Sequence, residues 1–248
     1  MKKSIKALIL TLLFAVILIP SVKVNAYVDP STPSGLSFYG QDGAEFGFKW
    51  NYDQNIALST DIDGLFGYEI VFTKINNKKI ATVDTANLVY NSDWNVDTSY
   101  KVNLLVTNSK LKKQAFKIKV RGYVYDEAGN KHYGSFSKAK TIVPRATITS
   151  KDLTTKSSNN VKIKWSKVSG AKSYSVYVSK SKTSGYKKKA TVTGTSYIIK
   201  NNKSYTNYYV YVVANKVKCG KKKLNSTKPS LKYSNMSAYY IYTKYSYW

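Results

Sequence analysis

The sequence has few of the residues that secreted domains use as covalent links or that enzymes use as catalysts. Cys219 is the only cysteine, so the chain cannot form an internal disulfide and must depend on its apolar cores. His132 is the only histidine, and no serine or cysteine nucleophile motif accompanies it. Single copies of these two residues do not supply a zinc site. We therefore expect no enzyme, no metal and no cofactor.

The remaining polar motifs are typical of turns. Asp126 to His132 has the composition of a hairpin turn between the last two strands of a first domain. Asp61-Ile62-Asp63-Gly64 places two carboxylates near a glycine, but the other oxygen ligands of a calcium loop are missing, so a turn is favoured.

Acidic residues are absent from the second half of the chain. Residues 153–248 contain 20 lysines and no aspartate or glutamate, whereas residues 27–152 contain 16 basic and 13 acidic residues. This absence excludes the paired carboxylates of a glycoside hydrolase there. Lysine is a hydrated point charge, which suits diffuse contact with a polyanion. Two interpretations stay open: a solubilising surface, or a surface that binds an anionic polymer.

A long apolar run occurs only at the N-terminus. Lys2, Lys3 and Lys6 precede an apolar stretch from Ala7 to Ile19, followed by a small-residue cleavage pattern that ends at Ala26. This is the pattern of a secretory signal peptide over residues 1–26. The alternative is an uncleaved anchor, but the run is shorter than the roughly 20 residues that a bilayer requires. After cleavage we expect no transmembrane segment.

Tyrosine and β-branched residues are abundant, and they occur in alternating patterns that predict half-buried strands. Each half of the chain repeats one layout: a strand that ends in tryptophan, a strand that opens with tyrosine, and a long strand led by an aromatic residue. The alternating segments are 45–50, 68–72 and 116–120 in the first half, and 161–165, 174–178 and 208–214 in the second. The repeat length indicates tandem domains.

Trp165, the run Gly170-Ala171-Lys172-Ser173-Tyr174-Ser175-Val176-Tyr177 and the run Tyr208-Tyr209-Val210-Tyr211-Val212 resemble fibronectin type III domains of bacterial surface proteins. In the first half the matching residues are Trp50, Gly67-Tyr68 and Phe116. The resemblance implies an all-β chain with two tandem fibronectin type III (immunoglobulin-like) β-sandwich domains after the signal peptide. It also implies that Tyr208 forms a tyrosine corner.

The predicted organisation has five parts, with a short linker near Pro144-Arg145. They are a signal peptide (1–26), a turn-rich leading segment (27–34), a first domain (35–144), a lysine-rich second domain (145–232) and a tyrosine-rich C-terminal segment (233–248). The C-terminal segment either pairs as an added strand or stays an exposed aromatic surface.

The predicted function is a secreted, non-catalytic binding or scaffold protein, held on anionic cell-wall polymers of a Gram-positive bacterium or on other extracellular polysaccharide. The first domain serves as a spacer or partner surface. The residues expected to contact the polymer are Lys187, Lys188, Lys189, Lys218, Lys221, Lys222 and Lys223. The residues expected to supply aromatic contacts are Tyr186, Tyr239, Tyr240, Tyr242, Tyr245, Tyr247 and Trp248.

Two other functions stay open. One is an adhesive module that binds surface proteins through its aromatic segment and sheet edges. The other is an accessory, carbohydrate-associated spacer for a separate extracellular enzyme. Nucleic acid is not expected as a physiological ligand, because the predicted export removes the chain from it.

Overall fold

A computed structural model describes residues 29–53, 66–126, 128–155, 158–200, 206–228 and 239–243 of the 248-residue chain. The predicted signal peptide and the Asp61–Gly64 motif lie outside these residues. Among the residues that are described, no helix is long and apolar enough to cross a membrane.

The first half of the chain folds into a sandwich of two antiparallel sheets. Its strands are β1 (Ser37–Asp42), β2 (Glu45–Asn51), β3 (Phe66–Lys74), β4 (Lys79–Asp84), β5 (Trp94–Val96), β6 (Lys101–Thr107), β7 (Phe116–Tyr125), β8 (Lys131–Tyr133) and β9 (Lys140–Ile142). One sheet has the order β1-β2-β6-β5, and the other has the order β4-β3-β7-β8, with β9 also paired to β7. The predicted hairpin turn around residue 126 is confirmed between β7 and β8, although β8 is not the last strand, because β9 follows and also pairs with β7.

The core of the first sandwich is aromatic. Phe46, Phe48 and Trp50 alternate along β2 and are fully buried, because successive strand residues point to opposite faces. Phe46 meets Phe116 of the facing sheet with ring centroids 5.5 Å apart, and Phe48 meets Phe72 at 5.7 Å. The alternation seen in the sequence therefore predicted the buried face correctly.

The second half forms a sandwich with the same plan. Its strands are β10 (Ile148–Thr155), β11 (Ser158–Trp165), β12 (Ser173–Ser179), β13 (Lys187–Val192), β14 (Ser196–Ile199), β15 (Thr206–Asn215), β16 (Val217–Cys219), β17 (Lys222–Leu224) and β18 (Tyr239–Thr243). One sheet has the order β10-β11-β14, the other has the order β13-β12-β15-β18, and β16 and β17 form a separate hairpin.

The second core is built from valine and isoleucine around one tryptophan. Val161, Ile163 and Trp165 of β11 are buried, while Lys162 and Lys164 between them are more exposed. This is the period-two pattern that the sequence predicted.

The two sandwiches share one register. In β7, Gly122 lies opposite Tyr68 of β3, and Phe116 precedes Gly122 by six residues. In β15, Ala214 lies opposite Tyr174 of β12, and Tyr208 precedes Ala214 by six residues. Phe116 and Tyr208 are therefore equivalent, as predicted, and both are buried. With the strand order, this register confirms the predicted fold class of two tandem fibronectin type III-like sandwiches.

Each sandwich contains the same contact between a tryptophan and a tyrosine. The rings of Trp50 and Tyr68 meet edge to face at 5.2 Å, and those of Trp165 and Tyr174 do so at 5.7 Å. Such aromatic pairs add stability beyond the area that they bury.

The tyrosine hydroxyl also closes the loop that follows each tryptophan. The Asp53 N–H donates to the Tyr68 hydroxyl at 3.3 Å, and the Val168 N–H donates to the Tyr174 hydroxyl at 3.0 Å. In both sandwiches the donor is the third residue after the tryptophan, so the same hydrogen bond occurs at the equivalent place in each domain.

The junction between the sandwiches is a buried hydrogen-bonded contact. The Arg145 N–H donates to Oε1 of Gln41 at 2.7 Å, and Nε2 of Gln41 donates to the Arg145 carbonyl at 3.3 Å. The Arg145 guanidinium donates to the Gln41 carbonyl. Burial lowers the pKa of Arg145 to about 10, so the group is still charged at neutral pH. The turn after β1 is thereby fixed against the linker.

Candidate anion-binding surface

The first predicted lysine cluster lies on an edge strand. Lys187, Lys188 and Lys189 open β13, which follows the third strand of the second sandwich as predicted, and all three are exposed. A bulge opposite Val176 and Tyr177 interrupts the alternation here, so consecutive lysines face solvent together. Lysines on an edge also hinder pairing with a foreign strand. The cluster therefore suits both binding and protection of the edge.

The second predicted cluster lies on the β16–β17 hairpin. Lys218, Lys221, Lys222 and Lys223 are all exposed. Gly220 begins the tip with a φ of 64°, which glycine adopts without steric cost. Among the described residues this is the last hairpin, as the sequence predicted, but it is not the last strand pairing, because β18 follows it and pairs with β15.

Cys219 anchors this hairpin to the second core. Its side chain is half-buried and packs against the core of the second sandwich. Burial raises the pKa of the thiol, which lowers its thiolate fraction at neutral pH.

The two lysine clusters lie at opposite ends of the sheet. Lys187 lies opposite Val178 of β12. Val178 is five residues along the strand from Ser173, and five strand residues span about 17 Å. The hairpin begins just beyond Asn215, which is opposite Ser173. The structure therefore does not combine the seven predicted lysines into one site.

Aromatic residues are level with the first cluster. Lys187, Val178, Val210 and Tyr239 form one row of paired backbone positions across the sheet. The C-terminal segment thus supplies a strand, β18, which contains Tyr239, Tyr240 and Tyr242. Tyr245, Tyr247 and Trp248 lie outside the described residues.

Tyr186 belongs to an aromatic group that the sequence analysis did not identify. Its ring lies 4.9 Å from that of Tyr211, which stacks on Tyr177 at 4.8 Å. Nζ of Lys228 lies 5.3 Å from the Tyr177 ring. Burial raises the pKa values of Tyr186 and Tyr211 to about 12, so both are neutral at physiological pH. Alternation around Tyr177 and Tyr211 on the outer face of the sheet could have revealed this group.

The second cluster meets the first sandwich at a turn that is itself rich in lysine. A β-carbon at Gly220 would lie 3.9 Å from Cγ2 of Ile75, in the turn between β3 and β4. Ile75 also packs against the second core. Lys74, Lys78 and Lys79 flank this turn, so the hairpin lysines lie beside basic residues of the first domain.

A groove of about 370 Å³ lies next to this turn. Its lining comes from the β3–β4 turn and from the segment that leads into β7: Lys74, Lys78, Lys79, Ile80, Lys110, Lys113 and Gln114. Five of the seven residues are lysines and none is acidic. The groove was not predicted from the sequence, because basic and acidic residues nearly balance over the first domain as a whole. The local signal was present, since residues 98–125 contain seven basic residues and no acidic one.

The lone histidine lies in the β7–β8 hairpin beside an aspartate. Nε2 of His132 lies 2.8 Å from Oδ2 of Asp126 within the β7–β8 turn. This contact, followed by bonds from Asn130, lowers the pKa of the Asp126 carboxyl. Among the residues that the structure describes, no group of three potential metal ligands occurs.

No known protein family matches the sequence, and no curated protein matches it. Among solved structures, the chain is similar to the crystal structure of chicken CNTN1 FN1-FN3 domains. The sequence identity is 16% and the TM-score is 0.32, over 88% of this chain and 67% of that one.

Proposed function

We propose that this protein is an exported, non-catalytic binding protein whose lysine-rich second domain holds it on anionic cell-wall or extracellular polymers. One observation carries the proposal. All seven predicted lysines are exposed, and residues 153–248 contain no acidic residue that could neutralise them. The N-terminal signal pattern supports export.

The arrangement of the lysines suggests how a polymer is held. The two clusters lie at opposite ends of a strand segment about 17 Å long, so a flexible polyanion can contact both ends at once. Simultaneous contacts raise avidity without requiring a tight site at either end. Since each contact releases a counterion from the polymer, affinity should fall steeply with salt.

The first test is co-sedimentation of residues 27–248 with purified Gram-positive cell walls across a salt series. The walls are used with and without their anionic polymers. We expect binding that requires these polymers and is lost at high salt. Binding that ignores both would contradict the proposal.

Matched variants assign the binding to the clusters. We expect Lys187→Gln/Lys188→Gln/Lys189→Gln and Lys221→Gln/Lys222→Gln/Lys223→Gln each to lower the slope of log affinity against log salt by about two. A charge-matched control in the first domain is Lys49→Gln/Lys138→Gln/Lys140→Gln, which should leave wall binding nearly unchanged. Equal losses in all three variants would indicate that net charge alone matters.

One observation favours a second function, adhesion to another protein. β18 ends the sheet order β13-β12-β15-β18, and within the described ranges no strand pairs with its outer edge. An open edge can accept a strand from a partner. Such binding should survive high salt and be lost when residues 233–248 are removed. Because β18 pairs five residues of β15, circular dichroism must first show that the truncated chain is folded.

A further inference from the structure

We propose that the lysine-lined groove of the first domain binds an anion that carries several closely spaced phosphate groups. The groove lies between the β3–β4 turn and residues 110–114. This inference goes beyond the proposed function, since it concerns the first domain and does not require the lysines of the second.

The groove concentrates positive charge without internal compensation. The ion pairs of the described residues join Arg121 to Glu69, Lys131 to Asp84 and His132 to Asp126, so none of them involves a groove lysine. The segments that supply the lining, residues 70–83 and 98–125, contain no acidic residue. A bound anion would relieve the repulsion among the five ammonium groups.

The turn that forms one wall of the groove is held in place by hydrogen bonds. The Lys74 N–H donates to the Lys78 carbonyl at 2.8 Å, and the Asn77 N–H donates to the Lys74 carbonyl at 2.9 Å. Nζ of Lys117 donates to Oδ1 of Asn77 at 2.9 Å. Asn77 has a φ of 69°, a conformation that asparagine tolerates better than most residues.

The other wall is fixed by the core and by the second domain. Leu111 is fully buried beneath the short helical turn Leu111–Lys113. Oδ1 of Asn108 accepts from the Lys110 N–H at 2.9 Å. The Lys113 carbonyl accepts from the Ser169 N–H at 2.8 Å, across the domain junction. The backbone of both walls is therefore organised before a ligand arrives, which reduces the entropic cost of binding.

The chemistry of the lining selects the class of ligand. The volume of about 370 Å³ lies at the small end of the range for ligand sites. Lysine binds phosphate as a point charge, whereas planar carboxylates are matched by the fork of arginine, which is absent from the lining. A short run of phosphates fits these features, and a longer polymer could continue onto the adjacent hairpin lysines.

The test is isothermal titration calorimetry of residues 27–248, which include every described residue, with linear tripolyphosphate at low salt. We expect Lys78→Gln/Lys110→Gln, one exposed lysine from each wall, to weaken binding by about tenfold or more. The matched control is Lys138→Gln/Lys140→Gln, two exposed lysines that do not line the groove. It removes the same charge from the same domain outside the groove and should change affinity by about twofold or less.

Citrate, a compact carboxylate of similar charge, tests the preference for phosphate. We expect tripolyphosphate to bind about tenfold more tightly than citrate or more. We also expect it to shift the backbone amide resonances of residues 74–80 and 110–114. Equal weakening in both double variants, unchanged affinity in the groove variant, or equal affinity for citrate would each overturn the inference.

The same titration separates this inference from the proposed function. The Lys187→Gln/Lys188→Gln/Lys189→Gln variant should retain the tripolyphosphate affinity of the groove while its attachment to cell walls weakens. Loss of groove binding in this variant would show that the titration detects only the second domain, and would overturn the groove assignment.

Discussion

The two sandwiches differ in whether their basic surface side chains have acidic or aromatic partners. In the first, Nε of Arg121 lies 2.6 Å from the Glu69 carboxylate, and the Arg121 guanidinium lies 3.8 Å from the centre of the Tyr133 ring. Nζ of Lys119 lies 3.7 Å from the centre of the Phe136 ring. Basic side chains on this sheet face are therefore balanced by carboxylates and aromatic faces. The second sandwich has no acidic residue after Asp152, and the lysines of its two clusters are exposed.

This contrast separates what the fold requires from what the surface does. The order of the shared strands, their register and the tryptophan–tyrosine contact are the same in both sandwiches, so they do not depend on surface charge. An uncompensated surface slightly destabilises a compact domain. Since the fold does not require it, binding to an anion is the physical reason that we propose for it.

The shared core contact should produce the largest effect. We expect Trp50→Ala and Trp165→Ala each to lower the free energy of unfolding of the affected domain by about 3–5 kcal/mol, because each leaves a large cavity. Hydrogen exchange of β3 and β7 amides reports on the first domain, and that of β12 and β15 amides on the second. A loss below about 1 kcal/mol in either domain would show that the two contacts are not equivalent.

The next largest change in stability is expected at the junction, where hydrogen bonds join the two sandwiches. Gln41→Ala removes both side-chain bonds to the Arg145 backbone. We expect a loss of about 1–3 kcal/mol, since buried backbone groups lose their partner. Thermal unfolding by calorimetry should change from one transition toward two.

Thr147→Val provides a control at the same junction. It removes a single bond of 3.2 Å from Oγ1 of Thr147 to the Gly43 carbonyl, at a half-buried position. We expect less than half the loss caused by Gln41→Ala. Equal losses would indicate that the junction is held by packing rather than by the glutamine.

These residues also mark how far the sequence could predict the molecule. Alternation identified the buried faces of β2 and β11 because it records which side of a strand faces the core. It does not record which turns meet, so the contact between Gln41 and Arg145, 104 residues apart, was not predictable. The groove was missed for the same reason, since its walls come from turns on different strand connections. The C-terminal segment left two alternatives open, and for residues 239–243 the structure shows the added strand.

A smaller effect should distinguish the two tyrosine hydroxyls. Tyr174→Phe removes the acceptor of the buried Val168 N–H, and we expect a loss of about 1–2 kcal/mol. Tyr68→Phe should cost less, because its bond to the Asp53 N–H is longer, 3.3 Å against 3.0 Å. Urea unfolding of both variants measures the difference. A larger loss of stability in Tyr68→Phe than in Tyr174→Phe would show that the length of the hydroxyl hydrogen bond does not determine its contribution.

The smallest expected change in stability comes from a substitution that introduces into the second sandwich a charge pair of the kind found in the first. Ser196 of β14 lies directly opposite Lys164 of β11, and both are exposed. Because opposite charges at facing strand positions attract, we expect Ser196→Glu to stabilise the domain by about 0.2–1 kcal/mol. The gain should shrink as salt rises, whereas Ser196→Gln should give none. If the glutamate variant gained nothing at low salt, repulsion among the lysines would already be screened, and their lack of partners would carry little cost in stability.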